Sequence, residues 1–256
     1  MTSPNRALVR RPSPRLAEGL VTHIARSAID VDRALAQWHA YVDALRAHGF
    51  EIIEVAPADD FPDGVFIEDA VVVYGDLAVV SRSGAEVRRG ETATARDAVR
   101  DAGYRVAEIV EPGTLDGGDV LKVGRTVFVG RTLRTNDEAI EQLRTLLEPE
   151  GWEVIAAPQD KVLHLKSAVT ALPDGTVIGY QPLVTDPDLF GSFQAVAEAS
   201  GAHVVLLGEG KLLMAASAPA TADQFRSMGY QPVIVDISEF EKLEGCVTCL
   251  SVRLRG

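Results

Sequence analysis

A repeated order of predicted elements constrains the fold of this sequence more than any other feature. Hairpin patterns, each made of two short apolar segments joined by a turn, begin at Val71, Val120 and Val169, at intervals of 49 residues. A fourth hairpin pattern begins at Val204, after a shorter interval of 35 residues. A repeat of about 50 residues is typical of a propeller or another radial array, in which each repeat is one supersecondary unit.

Between successive hairpins the pattern predicts a helix and then a strand, so each unit has the order β-β-α-β. The predicted helices cover residues 32–48, 91–101 and 136–147, and the strands that follow them cover residues 51–55, 104–110 and 152–156. Residues 7–10 and 247–254 are expected to form a fifth unit that closes across the termini. We predict an α/β fold in which residues 1–256 form a single domain. A chance run of hairpins in a mixed sheet is the alternative, and residues 186–200 fit either helix or strand.

An acidic and aromatic segment lies just ahead of the first hairpin. Residues 61–69 read F-P-D-G-V-F-I-E-D and place Asp63, Glu68 and Asp69 among aromatic side chains. A strand is predicted to begin near Phe66, because Val, Ile and Phe favour a pleated, half-buried surface. Carboxylates beside aromatic rings at the mouth of a strand suit a cation with an alkyl or planar body. The alternative is a solvated acidic loop.

The charge of the chain restricts its partners. A net charge of −12 argues against nucleic acid and against an anionic membrane surface, because both attract clustered Lys and Arg. A small cationic molecule fits that sign better. The N-terminal stretch has no apolar core of a secretory signal, no segment is long enough to span a bilayer, and two cysteines make no disulfide framework. We therefore expect a cytoplasmic protein, for which a homodimer stays possible.

Two cysteines stand three residues apart near the C-terminus, in the segment G-C-V-T-C-L-S. The C-x-x-C spacing of Cys246 and Cys249 allows a redox pair or half of a zinc site. A redox pair of this kind favours a helix N-terminus, whereas residues 250–254 read as strand with Cys249 at its start. A structural zinc site needs a second pair of ligands nearby, and the sequence has none. A buried, inert cysteine and a nucleophile remain as the other interpretations.

Two further positions combine with these segments. His164 lies in V-L-H-L-K-S and Asp116 in L-D-G-G-D-V, and each stands immediately before a hairpin, like the acidic segment. Taken alone, His164 fits a hydrogen-bonded core residue, and Asp116 and Asp119 fit a tight turn. In a radial repeat, however, equivalent positions of successive units converge on the axis. A thiol from Cys249, an imidazole and several carboxylates in one place fit nucleophilic attack on a guanidinium.

Six segments together resemble the dimethylarginine dimethylaminohydrolase family, which belongs to the guanidino-group-modifying enzyme superfamily. They are F-P-D-x-V-F-x-E-D, S-R-x-G-A-x-x-R-R-G-E, L-D-G-G-D-V, R-T-N, L-H-L-K-S and V-T-C-L-S-V, in that order along nearly the whole chain. The resemblance implies a five-bladed α/β-propeller. It also implies hydrolysis of asymmetric dimethylarginine and monomethylarginine to citrulline and a methylamine, through a covalent cysteine intermediate and without a cofactor or metal.

Within the superfamily, deimination of free arginine is the alternative activity. Outside it, the alternatives are a redox or zinc protein that uses the C-x-x-C pair, and a propeller that binds cationic ligands without catalysis.

The resemblance also assigns catalytic roles by matching motif. Cys249 would be the nucleophile, and His164 would be the general acid and base. Asp116 would orient His164 and help to hold the guanidinium. Some bacterial relatives have Glu at the position of Asp116, and Cys246 lies outside the matching motif, so it receives no role.

The substrate-binding positions implied by the resemblance come from five parts of the chain. They are Leu20, Asp63, Phe66, Glu68, Asp69, Arg88, Arg134 and Leu243. Asp69, supported by Glu68, would bind the guanidinium, and Asp63 would take the α-amino group.

The remaining assignments concern the substrate's tail and the edge of the site. Phe66 would pack on the alkyl stem, and Arg88 and Arg134 would bind the α-carboxylate. Leu20 would be a lid contact, and the backbone carbonyl of Leu243 would contact the guanidino group.

Overall fold

The computed structural model describes residues 5–254 and contains five three-stranded sheets. The strands are β1 (Asn5–Val9), β2 (Phe50–Glu54), β3 (Val71–Tyr74), β4 (Leu77–Val80), β5 (Arg105–Glu108), β6 (Val120–Val123), β7 (Thr126–Arg131), β8 (Glu153–Pro158), β9 (Val169–Ala171), β10 (Val177–Gly179), β11 (Phe193–Ala195), β12 (Val205–Gly208), β13 (Lys211–Ala215), β14 (Gln231–Val235) and β15 (Val252–Leu254). The helices are α1 (Val31–Ala47), α2 (Thr92–Asp101), α3 (Asp137–Leu147), α4 (Pro219–Ser227) and α5 (Ser238–Glu241).

All five sheets share one topology. Four of them, β3-β4-β5, β6-β7-β8, β9-β10-β11 and β12-β13-β14, consist of an antiparallel hairpin and a third strand parallel to its second strand. In the fifth sheet, β15 from the C-terminus pairs antiparallel with β1, which pairs in parallel with β2. The predicted α/β array of five similar units, closed across the termini, is therefore confirmed.

Helix ends follow the signals in the sequence. The carboxylate of Asp30 accepts a hydrogen bond from the backbone N–H of Arg33 at 3.0 Å and caps the start of α1. Gly49 follows this helix with a φ of +83°, a left-handed conformation that glycine adopts without steric cost. The side chain of Asn136 caps α3 in the same way, accepting from Ala139 N–H at 3.1 Å.

The strand that opens the first hairpin begins later than predicted. It was placed near Phe66, but β3 starts at Val71, and residues 67–69 form a 3-10 turn. The N–H of Asp69 donates to the carbonyl of Phe66 at 3.1 Å, which closes this turn. A pleated strand would point Glu68 and Asp69 to opposite faces, whereas the turn lets both carboxylates be buried beside ion-pair partners.

The last strand is also shorter than predicted. Cys249 does not open it, because β15 begins at Val252. Residues 246–249 instead form a tight turn, here called the cysteine turn, in which Cys249 N–H donates to the carbonyl of Cys246 at 3.1 Å. The nucleophile candidate thus lies in a loop that leads into the strand.

The third unit lacks a helix, which explains the shortened repeat. The undecided segment, residues 186–200, contains a 3-10 turn at Pro187–Phe190 and the strand β11. Thirteen residues join Gly179, the end of β10, to Phe193, and this connection crosses over with 3-10 turns alone.

Helix α1 fixes the position of the cysteine turn. Its buried side chains pack in one cluster with Leu213, Phe240 and both cysteines. The hydroxyl of Tyr41 donates to the carbonyl of Val247 at 2.8 Å and lies 2.7 Å from the hydroxyl of Ser251. Because Tyr41 is fully buried, these contacts hold both sides of the turn against the helix.

The N-terminal stretch includes strand β1, and its first four residues lie outside the described part of the chain. Within residues 5–254, none of the helices combines the length and the apolar character that crossing a bilayer requires. The description of residues 1–256 as a single catalytic domain remains a prediction.

Candidate active site

Three 3-10 turns bring the predicted polar residues together. They are Ile67–Asp69, Gly117–Asp119 and Leu165–Ser167, and each directly precedes the first strand of a unit. The second turn contacts both the first and the third, and the buried side chains of Asp69, Asp116 and His164 meet there. We call Asp69, Arg88, Asp116, Arg134 and His164 the charged cluster.

The imidazole of His164 lies between two carboxylates of this cluster. Its Nε2 is 3.0 Å from Oδ2 of Asp116, and its Nδ1 is 3.8 Å from Oδ1 of Asp69. Burial alone would lower the pKa of His164, but the charge of Asp69 and the hydrogen bond with Asp116 outweigh it and raise the pKa to about 9. In turn, His164 lowers the pKa of Asp116 despite complete burial. The pair is therefore charged at neutral pH.

Two glycines between Asp116 and Asp119 allow this close approach. A Cβ on Gly118 would stand 2.6 Å from Nδ1 of His164, and one on Gly117 would stand 2.0 Å from the carbonyl oxygen of Glu68. The N–H of Gly118 also donates to Oδ1 of Asp69 at 3.0 Å. Gly117 and Gly118 are thus needed for the close packing of the site, in addition to forming the turn.

Asp119 has a different environment from Asp116, although both are fully buried. It accepts hydrogen bonds from Leu165 N–H at 2.8 Å and from the hydroxyls of Thr132 and Thr135 at 2.8 and 2.6 Å. Burial raises the pKa of Asp119 to about 6. Asp119 therefore joins the second 3-10 turn to the third. Of the two acids, only Asp116 contacts His164 and Arg134 of the charged cluster.

Arg88 is held by two carboxylates before any ligand arrives. One amino group donates to Oδ2 of Asp69 at 2.8 Å, and Nε and the other amino group donate to Glu91 at 3.0 and 2.9 Å. These charges raise the pKa of Arg88 even though burial opposes its charged form. Sequence analysis assigned no site role to Glu91, although it ends the matching segment S-R-x-G-A-x-x-R-R-G-E and stands three residues after Arg88.

Arg134 is less constrained. Its side chain makes one hydrogen bond within the described part of the chain, from an amino group to Oδ2 of Asp116 at 3.2 Å. The same carboxylate oxygen contacts His164, while Oδ1 of Asp116 is buried without a hydrogen-bond partner. Arg134 and Asp116 thus leave a donor group and an acceptor atom available in the site.

Glu68 lies next to two cations that sequence reasoning missed. Its Oε1 is 2.6 Å from Nζ of Lys166 and 3.4 Å from an amino group of Arg253, while Oε2 is buried without a partner. The N–H of Glu68 donates to the carbonyl of Cys249 at 3.2 Å. This backbone contact joins the cysteine turn to the turn that carries Asp69.

Asp63 contacts the N-terminal loop. Both of its carboxylate oxygens accept from Leu20 N–H at 3.1 Å, and burial raises the pKa of Asp63. Farther along the same loop, the carboxylate of Glu244 accepts from the N–H groups of Thr22 and His23. Glu244 has a φ of +61°, and we call this contact the loop anchor. The predicted lid contact, Leu20, is therefore tied to Asp63 through its backbone.

Phe66 and Leu243 are buried in the apolar cluster that also contains Cys249. The ring of Phe66 packs edge-on against Phe240, with 6.3 Å between centroids. A Cβ on Gly245 would stand 2.3 Å from a carbon of the Phe66 ring, so glycine is required beside it. These contacts form the apolar wall next to the cysteine turn.

The two thiols of the cysteine turn are adjacent. Their Sγ atoms are 3.2 Å apart, and the N–H of Cys246 points to Sγ of Cys249 at 3.4 Å. The hydrogen bond between the thiols, burial, and the charges of Glu68 and Asp69 raise the pKa of Cys249. The same hydrogen bond lowers the pKa of Cys246.

Metal coordination fits the site poorly. Within residues 5–254, one group of three or more possible ligands has its donor atoms within 4.8 Å of one another, namely Asp69, Asp116 and His164. It includes neither cysteine, which argues against zinc on the C-x-x-C pair. A metal ion there would also need a neutral imidazole, so it would compete with the proton that Asp69 and Asp116 stabilise on His164.

Five three-stranded units, four of them with a helix before the third strand, and a buried site of thiol, imidazole and carboxylates fit the class of guanidino-group-modifying enzymes. A family profile described as N,N dimethylarginine dimethylhydrolase, eukaryotic, matches residues 23–177. The chain is 64% identical to the N(G),N(G)-dimethylarginine dimethylaminohydrolase of Streptomyces coelicolor, over 98% of this chain and 97% of that protein. The chain belongs to the dimethylarginine dimethylaminohydrolase family.

Two solved structures agree with that assignment. A variant dimethylarginine dimethylaminohydrolase, as an adduct with S-methyl-L-thiocitrulline, superposes with a TM-score of 0.92 at 31% identity and covers 99% of this chain and 100% of that one. A cysteine variant of the Pseudomonas aeruginosa enzyme in complex with citrulline gives a TM-score of 0.92 at 31% identity, covering 98% and 99% of the two chains. The predicted membership of this family is confirmed.

Proposed function

We propose that the protein hydrolyses asymmetric dimethylarginine and monomethylarginine to citrulline and a methylamine, through a covalent adduct on Cys249 and without a cofactor. The observation that carries this proposal is the convergence of Asp69, Asp116 and His164 with the cysteine turn, in the fold of a family whose relatives bear that name. Acids and an imidazole beside a thiol can bind a guanidinium and attack its central carbon.

Carboxylates of the site bind the cationic group. Asp69 and Asp116 take the guanidinium, supported by Glu68, and the unpartnered buried oxygens of Asp116 and Glu68 are acceptors for its N–H groups. Burial strengthens such charge-assisted bonds because water does not compete. The backbone carbonyl of Leu243 and the ring of Phe66 complete the contacts to the guanidino group and the alkyl stem.

The reaction proceeds in two steps. The thiol proton of Cys249 leaves to solvent as the cation binds, and the resulting thiolate forms a C–S bond to the guanidinium carbon. The C–N bond breaks as protonated His164 gives its proton to the departing methylamine. Neutral His164 then takes a proton from water, which attacks the same carbon and releases citrulline and the thiol. A histidine with a pKa of about 9 begins this cycle in the acid form that the first step needs.

The amino-acid tail is recognised by opposite charges at the edge of the site. Arg134, which has donor groups to spare, is the main ligand of the α-carboxylate. Arg88 assists it and also fixes the carboxylate of Asp69. Asp63 takes the α-amino group, and Leu20 covers the bound substrate from the N-terminal loop.

The rest of the proposal concerns the protein as a whole. We infer one catalytic domain over residues 1–256 and a cytoplasmic location, because two buried, unbridged thiols suit a reducing compartment. A homodimer stays a prediction, and light scattering at assay concentrations would measure it.

A citrulline assay tests the function. Asymmetric dimethylarginine, monomethylarginine and plain arginine are compared at equal concentration with a chelator present, and Cys246→Ser is the matched control for Cys249→Ser. We expect citrulline from the methylated substrates and no loss with chelator. A preference for plain arginine would make the protein a deiminase, and no citrulline from any substrate would contradict the enzyme assignment.

A further inference from the structure

The C-x-x-C pair is a feature of the site that the proposed reaction does not use. Hydrolysis requires one thiol, on Cys249, yet the Sγ atom of Cys246 lies only 3.2 Å away. Both residues are buried, with 4% and 7% of their surfaces exposed. Apart from Thr248, whose hydroxyl is 3.2 Å from Sγ of Cys246, each sulfur has the other as its nearest polar side-chain contact.

The backbone of the cysteine turn suits a bond between these sulfurs. The N–H of Cys249 donates to the carbonyl of Cys246 at 3.1 Å, so the two residues are the ends of a four-residue turn. The Cα atoms at the ends of such a turn are less than about 7 Å apart, and disulfides span roughly 4.4–6.8 Å between Cα atoms. Side-chain rotation is therefore enough to close the remaining gap between the sulfurs.

We infer that Cys246 is a resolving cysteine, which forms a reversible disulfide with Cys249 after a hydroperoxide oxidises Cys249. This inference rests on the proposed role of Cys249 as the nucleophile. A hydroperoxide is small enough to enter through the site that admits the substrate. The disulfide occupies the attacking sulfur, so the oxidised protein does not turn over substrate until a thiol reductant restores it.

The chemistry balances in two steps. The thiolate form of Cys249, a minor species in the free protein, attacks one oxygen of the hydroperoxide. The O–O bond breaks, and the alkoxide or hydroxide that leaves takes up the proton that the thiol lost, which gives a sulfenic acid and an alcohol or water. The sulfur of Cys246 then attacks that of Cys249, the S–S bond forms, the S–O bond breaks, and the hydroxide leaves as water with the proton of Cys246. The hydroperoxide receives the two electrons that the thiols lose. Without a neighbour, the sulfenic acid would continue to the irreversible sulfinic acid.

Mass spectrometry of the folded, full-length protein tests the bond without any assay of turnover. Hydrogen peroxide is added in small excess, free thiols are blocked under denaturing conditions, and the peptide containing residues 246–249 is examined. We expect this peptide to lose two hydrogens and to regain them with dithiothreitol. Sulfinic or sulfonic acid on Cys249 beside an unmodified Cys246 would overturn the inference.

The variant Cys246→Ser provides the functional arm. It keeps the backbone N–H that points to Sγ of Cys249 but has no second sulfur. After the same peroxide treatment, the wild type should recover most of its citrulline formation with dithiothreitol, whereas the variant should recover less than about a tenth, because its oxidation proceeds past the reversible stage. Equal recovery would contradict the role of Cys246. Cys246→Ala replaces the serine variant if serine prevents folding.

The two proposals fail differently. If no citrulline forms but the disulfide appears, the proposed function is wrong and the modification site stands. If citrulline forms and peroxide leaves Cys246 unmodified while Cys249 is lost, the function stands and the resolving cysteine is wrong.

Discussion

The charged cluster and the cysteine turn differ in how they are held. Charge-assisted hydrogen bonds of 2.8 and 3.0 Å pair Asp69 with Arg88 and Asp116 with His164, and these bonds fix the side chains before a ligand arrives. The cysteine turn is held by neutral groups instead: its own backbone hydrogen bond, the hydroxyl of Tyr41, and apolar packing against α1, with sulfur contacts of 3.2–3.4 Å. The groups that bind the substrate are thus preorganised by charge, whereas the attacking sulfur has no charged group hydrogen-bonded to it within residues 5–254.

The two regions are nevertheless coupled by charge. The hydrogen bond with Cys246, burial and the negative charges of Glu68 and Asp69 all raise the pKa of Cys249. A cationic guanidinium bound on those carboxylates would offset their charge and favour the thiolate. The comparison therefore predicts a nucleophile that becomes active when its substrate is in place.

Exchanging sulfur for oxygen within the cysteine turn should have the largest effect. We expect Cys249→Ser to lower turnover by at least about 10⁴-fold, because a serine hydroxyl is a far weaker nucleophile without a dedicated base. Cys246→Ser should stay within about 10-fold of the wild type, because its sulfur does not attack the substrate. Citrulline formation measures both, and circular dichroism checks that both variants fold. Loss of activity in a folded Cys246→Ser protein would contradict the assignment of Cys249 as the nucleophile.

Asp116 and Asp119 give the second matched pair, within the charged half of the site. Asp116→Asn should lower turnover by roughly 10²–10³-fold, the scale of a lost acid–base contribution, because His164 then loses its charged partner. Asp119→Asn keeps an acceptor for Leu165 N–H, and the two threonine hydroxyls can reorient, so turnover should change by less than about 10-fold. Steady-state kinetics measures the contrast. Equal losses would show that both acids act only through the fold.

The pH dependence of stability tests His164 directly. The pKa of His164 in the folded protein, about 9, lies above the ordinary value of 6.5, so protonation of His164 stabilises the folded state. This contribution to the free energy of unfolding is fully present below pH 6.5 and is lost as the pH rises through 9. The difference corresponds to roughly 3 kcal/mol between these limits. Urea unfolding of the wild type and His164→Gln should give free energies whose difference shrinks by that amount. An unchanged difference across this range would mean that His164 is neutral in the folded protein.

Arg134 should affect substrate selection more than it affects the fold. Arg134→Ala should lower kcat/KM, with a loss of transition-state stabilisation of about 1.5–3 kcal/mol, the usual scale of a charge-assisted hydrogen bond. Agmatine, which lacks the α-carboxylate, should be a poor substrate for the wild type and should lose little in the variant. Arg88→Ala is expected to unfold more readily, because it leaves Asp69 and Glu91 buried without their shared partner. Turnover of agmatine equal to that of the methylated amino acid would make both arginines structural.

The loop anchor should give the smallest effect. Glu244→Ala removes the acceptor for Thr22 and His23 N–H, so the loop that carries Leu20 covers the site less often. We expect KM to rise about 3- to 10-fold with kcat nearly unchanged, the scale of one lost hydrogen bond. Glu209→Ala is the matched control, since within residues 5–254 it changes the other non-glycine residue with positive φ, in the remote turn between β12 and β13. An equal rise in KM in both variants would contradict a role of the N-terminal loop in substrate binding.

Sequence periodicity was sufficient to predict the five units, because hairpins and helices are encoded by local apolar patterns. It also predicted that the acidic segment, Asp116 and His164 would converge, since each stands directly before a hairpin. The predicted start of β3 was wrong. Local β-propensity favoured Phe66 and Ile67, whereas the burial of two adjacent carboxylates required a 3-10 turn.

Ion-pair partners could not be predicted in the same way. Lys166 and Arg253 both reach Glu68, yet they lie about 100 and 185 residues farther along the chain, so no local pattern joins them to it. Likewise, the anchoring of Thr22 by Glu244 depends on how distant loops meet. Such contacts follow from the closed array of units, which only the three-dimensional structure provides.

The central claim is that Cys249 stays protonated until a guanidinium cation binds. Ultraviolet absorbance of the thiolate, titrated against pH in Cys246→Ser with and without unreactive methylguanidine, measures it most directly. For the free protein we expect a pKa of Cys249 above the ordinary value of about 8.5, because burial, Glu68 and Asp69 still disfavour the charge. Saturating methylguanidine should lower that pKa. A thiolate already present at neutral pH in the free protein, or a pKa that the cation leaves unchanged, would contradict the account.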